Sequence, residues 1–263
     1  MFGPVLHLRP RSAPDRAAGG PLLPRSCIRR LRSPTKADGA AYRCLHPLRA
    51  GRRPRGRRGA GLTPTTADPT RIGVVLGVAS GSFTGVDKVC DRLWNGEHHL
   101  VSPLFLPRIL PSVAAGEIAA RHDYRGPDFT VTSACASGGH AIGVARDLIR
   151  SGTCDIVLAG GAESARAPVT AISFARMGAL STRLHDPDGA SRPFDRDRDG
   201  FVLGEGAAVL VLEDLDHARA RGAALQGIVA GYGASADAHH PVNPHPDGGG
   251  LQQAIEPPCQ MRA

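Results

Sequence analysis

The amino-acid sequence predicts an α/β fold with a largely buried sheet, and three observations predict it. Short apolar, β-branched runs alternate with stretches of helical spacing from residue 72 to residue 232. With 263 residues the chain is long enough to bury a core. No stretch approaches the roughly eighteen uninterrupted apolar residues that a membrane-crossing helix needs, so no membrane span is expected.

Residues 72–78 read as a buried strand, interrupted only by Gly73 and Gly77. Ser80-Gly81-Ser82 makes a loop, and residues 86–94 form a helix closed by Asn95-Gly96. Pro103, Pro107 and Pro111 predict an irregular stretch. Ser112 is placed to cap a small-residue helix over 113–122. Residues 129–133 read as a short strand running directly into Ala134-Cys135-Ala136-Ser137-Gly138-Gly139. A helix follows to Arg150, with Ile142, Ala145, Leu148 and Ile149 at helical spacing and Ser151-Gly152 as its stop. Residues 155–158 form the next strand, ahead of Gly160-Gly161. A helix over 169–177 precedes a polar loop over 181–199 and an apolar strand over 207–212. A short charged helix over 215–221 and a strand over 226–232 complete the series, with no short-period repeat.

Charge is unevenly spread. Residues 1–70 carry fifteen Lys/Arg against three Asp/Glu, a net of +12, and subtracting this from the chain total of +8 leaves −4 for residues 71–263. The basic character belongs to the leading segment, which reads as a disordered or non-native tail rich in Arg, Pro and Gly. Its run Arg52-Arg53-Pro54-Arg55-Gly56-Arg57-Arg58 would meet phosphate only unspecifically, so no specific nucleic-acid partner is expected. Six scattered cysteines without a CxxC pair fit a reducing, cytoplasmic setting and suggest neither a disulfide framework nor a structural metal.

The candidate chemistry sits at Cys135. A thiol attacks as its thiolate, and a free thiol is mostly protonated at neutral pH. The start of a helix offers unpaired N–H groups and the positive end of its dipole, which stabilise an anion. Small neighbours on both sides allow a sharp strand-to-helix turn and the approach of a substrate. The Cys135 N–H would also serve as one donor to an acyl oxyanion. Residue type alone allows the opposite reading, an inert cysteine packed in the core, and the small neighbours leave the two level.

The segment Thr132-Ser133-Ala134-Cys135-Ala136-Ser137-Gly138 resembles the active-site segment of β-ketoacyl-acyl-carrier-protein synthases of the elongating type. Further segments agree in family order: Arg125-Gly126-Pro127, Ala159-Gly160-Gly161-Ala162-Glu163, Ala179-Leu180-Ser181-Thr182-Arg183, Ser191-Arg192-Pro193-Phe194-Asp195, residues 198–207 and residues 235–240. The resemblance covers residues 71–255, read as the N-terminal domain of such an enzyme, and residues 256–263 read as an unrelated end.

The resemblance implies a thiolase-like layered αβαβα fold, of which this chain carries mainly the N-terminal half. It implies that Cys135 takes an acyl group from carrier-protein phosphopantetheine, and that in complete relatives the acyl group then condenses with malonyl-carrier protein as CO2 leaves. Family enzymes use two histidines for that second stage, in later motifs of the form HGT and GH that do not follow the matched segment here. The alternative implied is a truncated, non-catalytic fragment or dimerisation partner. Leu110 and Phe174 correspond to family positions along the acyl tunnel, and His240 to a loop near the pantetheine channel. For Leu110 and Phe174, ordinary core packing is an equal reading. No tightly bound cofactor is implied, and the expected partners are an acyl carrier protein and a second subunit, identical or related. Residues 155–158 are the candidate strand for pairing across that two-fold. His239, His240 and His245 lack the ligand spacing of a metal site, and Glu205 reads first as a turn carboxylate rather than a general acid.

Overall fold

The computed structural model describes residues 62, 67–81, 83, 85–165 and 167–256. The basic run at 52–58, most of the leading segment and residues 257–263 lie outside the described residues. Four strands form one mixed sheet: β1 (Ile72–Gly77), β2 (Asp128–Val131), β3 (Ile156–Ser164) and β4 (Glu205–Glu213). Their order is β2-β1-β3-β4, with β1 parallel to both β2 and β3, and β4 antiparallel to β3. The helices are α1 (Val86–Trp94), α2 (Phe105–Ile109), α3 (Val113–His122), α4 (Ser137–Arg150), α5 (Pro168–Arg176), α6 (Leu215–Ala220) and α7 (Gly249–Ile255).

Every residue of β1 is buried, because alternate side chains meet a helix on each face. Val74 and Leu76 pack with Ala114, Ala115, Ile118 and Ala119 of α3. Val75, with Val157 and Ala159 of β3, packs against Ala141 and Ala145 of α4. Small residues on both helices let them approach the sheet closely. A sheet covered on both sides is the layered α/β arrangement the sequence predicts. Leu62, ahead of β1 and 6% exposed, joins Ile72 and Ile156 in a third cluster, so packing begins upstream of Arg71. The Arg71 guanidinium closes this same end of the sheet, donating to Asp155 at 2.7 and 2.6 Å.

Several expectations need correction. The proline-rich stretch is not wholly irregular: α2 contains Pro107 at its third residue, where a missing N–H breaks no helical bond. Ser112 precedes α3 but its hydroxyl does not cap it, because the residue itself is already helical (φ −66°, ψ −19°). The strand expected at 155–158 continues through Gly160-Gly161 to Ser164. Those glycines do not end the strand; a Cβ on Gly160 would lie 2.0 Å from the Ala208 carbonyl oxygen of β4, so they permit close strand pairing. Residues 226–232 join no ladder and form no strand, since apolar content without a strand edge alongside does not make one. The helix α7 lacks a clear apolar period and is not foreseen in the sequence.

The topology also overturns the expected dimer strand. Residues 156–158 of β3 pair with β1 on one side and β4 on the other, so no hydrogen-bonding edge remains for a second subunit. Among the described residues, the sheet's outer strands are β2 and β4.

Candidate active site

Parallel strands β1, β2 and β3 end on the same side of the sheet, where α/β proteins commonly assemble their sites. There β2 passes through Thr132 and Ser133 into a tight turn before α4 begins at Ser137. Ala134 adopts the left-handed conformation (φ 45°), which turns the chain sharply and leaves Cys135 exposed at the corner. The Ala136 N–H donates to the Ser133 carbonyl at 3.0 Å, and the Ser137 N–H to the Ala134 carbonyl at 3.2 Å. Cys135 therefore lies just before the helix cap, Ala136, and not within the first turn as expected from sequence.

Neighbouring elements hold this corner. The first turn of α4 rests on the end of β1 so closely that a Cβ on Gly77 would lie 2.2 Å from the Ser137 carbonyl carbon and oxygen. The Thr132 hydroxyl donates to the Val78 carbonyl at 2.9 Å, and the Val78 N–H donates to the Val131 carbonyl at 3.1 Å. Glu163 of β3 accepts from the N–H groups of Ala79 and Ser80 at 2.7 and 3.0 Å, fixing the loop after β1. Backbone donors on that loop are thus tied to a carboxylate beside the corner.

Leu110 lies at the end of α2 and is 46% exposed. Phe174 of α5 is half-buried and meets Phe201 edge-on at 5.2 Å between ring centroids. His240 is exposed, and its Nδ1 accepts from the N–H groups of Val242 and Asn243 at 3.1 and 3.0 Å, shaping its own loop. Among the described residues, no hydrogen bond or ring contact joins Leu110, Phe174 or His240 to Cys135. Glu205 starts β4 and accepts from the Ser164 hydroxyl at 3.0 Å, bracing two strands. Burial pushes the Cys154 thiol up, whereas Cys90 is exposed on α1.

Sequence reasoning missed three supports. The Ser137 hydroxyl accepts from the Ser133 N–H at 2.8 Å and donates to the Ala134 carbonyl at 2.7 Å. Its position two residues after the cysteine, in a run of small residues, was the available signal. The Tyr232 ring lies against α4 where Gly143 leaves space, and its hydroxyl meets His140 Nδ1. Nothing in the local pattern of 226–232 announces that contact. Glu163 belongs to a recognised motif, but only the fold shows what it binds. In the 181–201 loop, the Ser181 hydroxyl and the Thr182 N–H and hydroxyl hold the Asp199 carboxyl down at about 2.

Comparison with known proteins agrees with this arrangement. Residues 58–218 match the family described as beta-ketoacyl synthase, N-terminal domain. The chain is 44% identical over 199 residues to 3-oxoacyl-[acyl-carrier-protein] synthase 2 of Rhizobium meliloti (strain 1021), covering 75% of this chain and 47% of that relative. It is 39% identical over 202 residues to the tetracenomycin polyketide synthase ketoacyl synthase alpha subunit of Streptomyces glaucescens, covering 74% and 47%. Among solved structures it resembles a beta-ketoacyl synthase from Burkholderia phymatum STM815, with TM-score 0.70, 32% identity and coverage of 84% and 53%. A ketosynthase of a type II polyketide system, AntDE, solved with its acyl-carrier protein AntF and a hexaketide, gives TM-score 0.70 at 32% identity, covering 74% and 49%. The chain spans about half the length of the relatives it matches. No helix among the described residues is long and apolar enough to cross a membrane. With the match extending over most of the described residues and the exposed cysteine on its strand-to-helix corner, this chain belongs to the beta-ketoacyl synthase family, contributing the N-terminal domain of a thiolase-like fold.

Proposed function

We propose that the chain is an acyltransferase of fatty-acid or polyketide synthesis whose nucleophile is Cys135. The observation carrying this reading is an exposed thiol on a tight turn at the carboxyl ends of three parallel strands. The Cys135 thiolate attacks the carbonyl carbon of an acyl thioester on carrier-protein phosphopantetheine. A new carbon–sulfur bond forms to Cys135, the bond to pantetheine breaks, and the departing sulfur takes up a proton. The Cys135 N–H donates to the carbonyl oxygen as negative charge develops there. Leu110 and Phe174 border the acyl chain, and His240 borders the pantetheine arm. The phosphopantetheine arrives on its carrier protein, so no tightly bound cofactor is required, and the protein works in the cytoplasm.

In complete relatives the acyl group would then condense with malonyl-carrier protein as carbon dioxide leaves. A second reading has this polypeptide pair with a related subunit without condensing activity of its own. It is favoured by two solved neighbours, ketosynthases described with a chain length factor. A homodimer or heterodimer would form through an outer strand of the sheet and not through β3.

Incubation with an acylated carrier protein and resolution of the liberated free carrier by mass tests the first reading. One equivalent of free carrier protein should appear with the wild-type chain and none with Cys135→Ser. Equal release from both proteins would refute the proposed role. Release without any condensation product after addition of malonyl-carrier protein would support a half-active chain or partner subunit.

A further inference from the structure

The geometry points to Ser137 as the positioning residue of the nucleophile: its hydroxyl holds Ala134 left-handed and thereby sets the orientation in which Cys135 meets an acyl donor. This rests on the reading of Cys135 as nucleophile and adds a residue that acts through it. Left-handed backbone is unfavourable for an L-residue with a Cβ, so Ala134 must be held there by its surroundings. Beside the backbone bond from the Ala136 N–H to the Ser133 carbonyl, the side-chain contacts that do so converge on one residue. Ser137 Oγ accepts from the N–H of Ser133, the residue before Ala134, and donates to the carbonyl of Ala134 itself. The hydroxyl therefore bridges both flanks of the strained residue while its own N–H donates to that same carbonyl.

The staple is itself buried. Ser137 is 3% exposed and its main chain lies against Gly77 at the end of β1. A buried hydroxyl with both its donor and its acceptor capacity engaged is directional, and it forms a rigid link from the sheet to the corner. Cys135 lies between the two ends of this link, within the turn that the Ala136 N–H also closes on the Ser133 carbonyl. Removing the hydroxyl leaves the Ser133 N–H without its partner and lets Ala134 relax toward right-handed or extended backbone, which would swing Cys135 away from the incoming carbonyl.

Three variants test this, compared with wild type for the rate of acyl-adduct formation on Cys135 from a medium-chain acyl-pantetheine thioester. Ser137→Ala should slow acylation by about tenfold. Ala134→Val should slow it similarly, since a β-branched residue resists positive φ; the site is exposed, so the core is left intact. Adding Ala134→Gly to Ser137→Ala should recover most of the rate, because glycine adopts the left-handed conformation without the staple. That recovery would not follow if Ser137 merely filled space. Unchanged acylation in Ser137→Ala and Ala134→Val, or no recovery in the double variant, would overturn the inference.

Should the wild-type chain form no adduct, the proposed function fails, and amide exchange across residues 132–136 decides this inference separately. Faster exchange in Ser137→Ala than in wild type would uphold the staple, and equal exchange would overturn it.

Discussion

Strands β1 and β4 are both apolar and both pair with β3, yet β1 is wholly buried while no residue of β4 is. The difference lies in what covers them. Helices α3 and α4 lie over the two faces of β1, whereas β4 reaches the same clusters only through Val209, Val211 and Leu212 at partly buried positions. Leu210 remains 50% exposed. Apolar sequence therefore marks a strand's capacity for burial, and the neighbouring layers determine whether the capacity is used.

The largest contrast should come from matched truncations. Leu76→Ala removes a side chain 1% exposed and is expected to lower stability by roughly 2–5 kcal/mol in urea unfolding. Leu210→Ala on β4 is expected to lower it by well under half as much. Comparable losses at the two positions would break the comparison.

A smaller effect is expected where β1 supports the cysteine corner. Gly77→Ala forces a methyl group against the backbone of Ser137, costing about 1–3 kcal/mol by the same measurement. It should also slow labelling of Cys135 by an acyl thioester more than labelling of Cys90 by iodoacetamide, because only the former depends on the corner.

β4 is anchored at its far end by charge. Burial pushes the Glu213 carboxyl up, but Arg221 and His217 together hold it below its ordinary value. Arg221 donates to it at 2.6 and 2.5 Å, and the Glu213 side chain is 9% exposed. A carboxyl depressed in the folded state stabilises fully above its unfolded value, about 4.3, and that contribution is lost as pH falls through the folded value. Asp155, held low by Arg71, loses its contribution in the same direction below about 3.9. Glu213→Gln should therefore cost about 1–2 kcal/mol at pH 7 and flatten the fall in urea midpoint between pH 5 and pH 2. An unchanged acid slope would show that the pair does not fasten β4.

The smallest effect belongs to the uncovered side. Leu210→Lys should change stability by no more than about 0.5 kcal/mol while reducing self-association in sedimentation. Retained association would direct attention to the β2 edge.

The same contrast explains what was legible in the sequence. β1, α1, α3 and α4 declare themselves because local period and stop signals agree with the elements that form. The cysteine corner was legible because a strand pattern ends in a run of small residues, and ordered family motifs gave that run a meaning. Residues 226–232 are apolar without a strand edge to join, and Tyr232 instead packs against Gly143 of α4. The glycines at 160–161 do not end β3, since their use is close contact across strands and with α4. Thr132 and Glu163 act through partners in the loop after β1, which a linear reading cannot pair, whereas Ser137 acts within its own turn. The assignment of 155–158 to a subunit interface failed because strand order, and not strand sequence, fixes which edges stay open.

On the proposed function, fold position, beyond simple exposure, gives Cys135 its reactivity toward acyl thioesters. Peptide mass spectrometry during exposure of the native chain to an acyl-pantetheine thioester can follow Cys90, Cys135 and Cys154 together. The account expects the acyl mass on Cys135 well before Cys90, though both are exposed, and none on buried Cys154. Equal acylation of Cys90 and Cys135, or none at Cys135 in the folded protein, would contradict it.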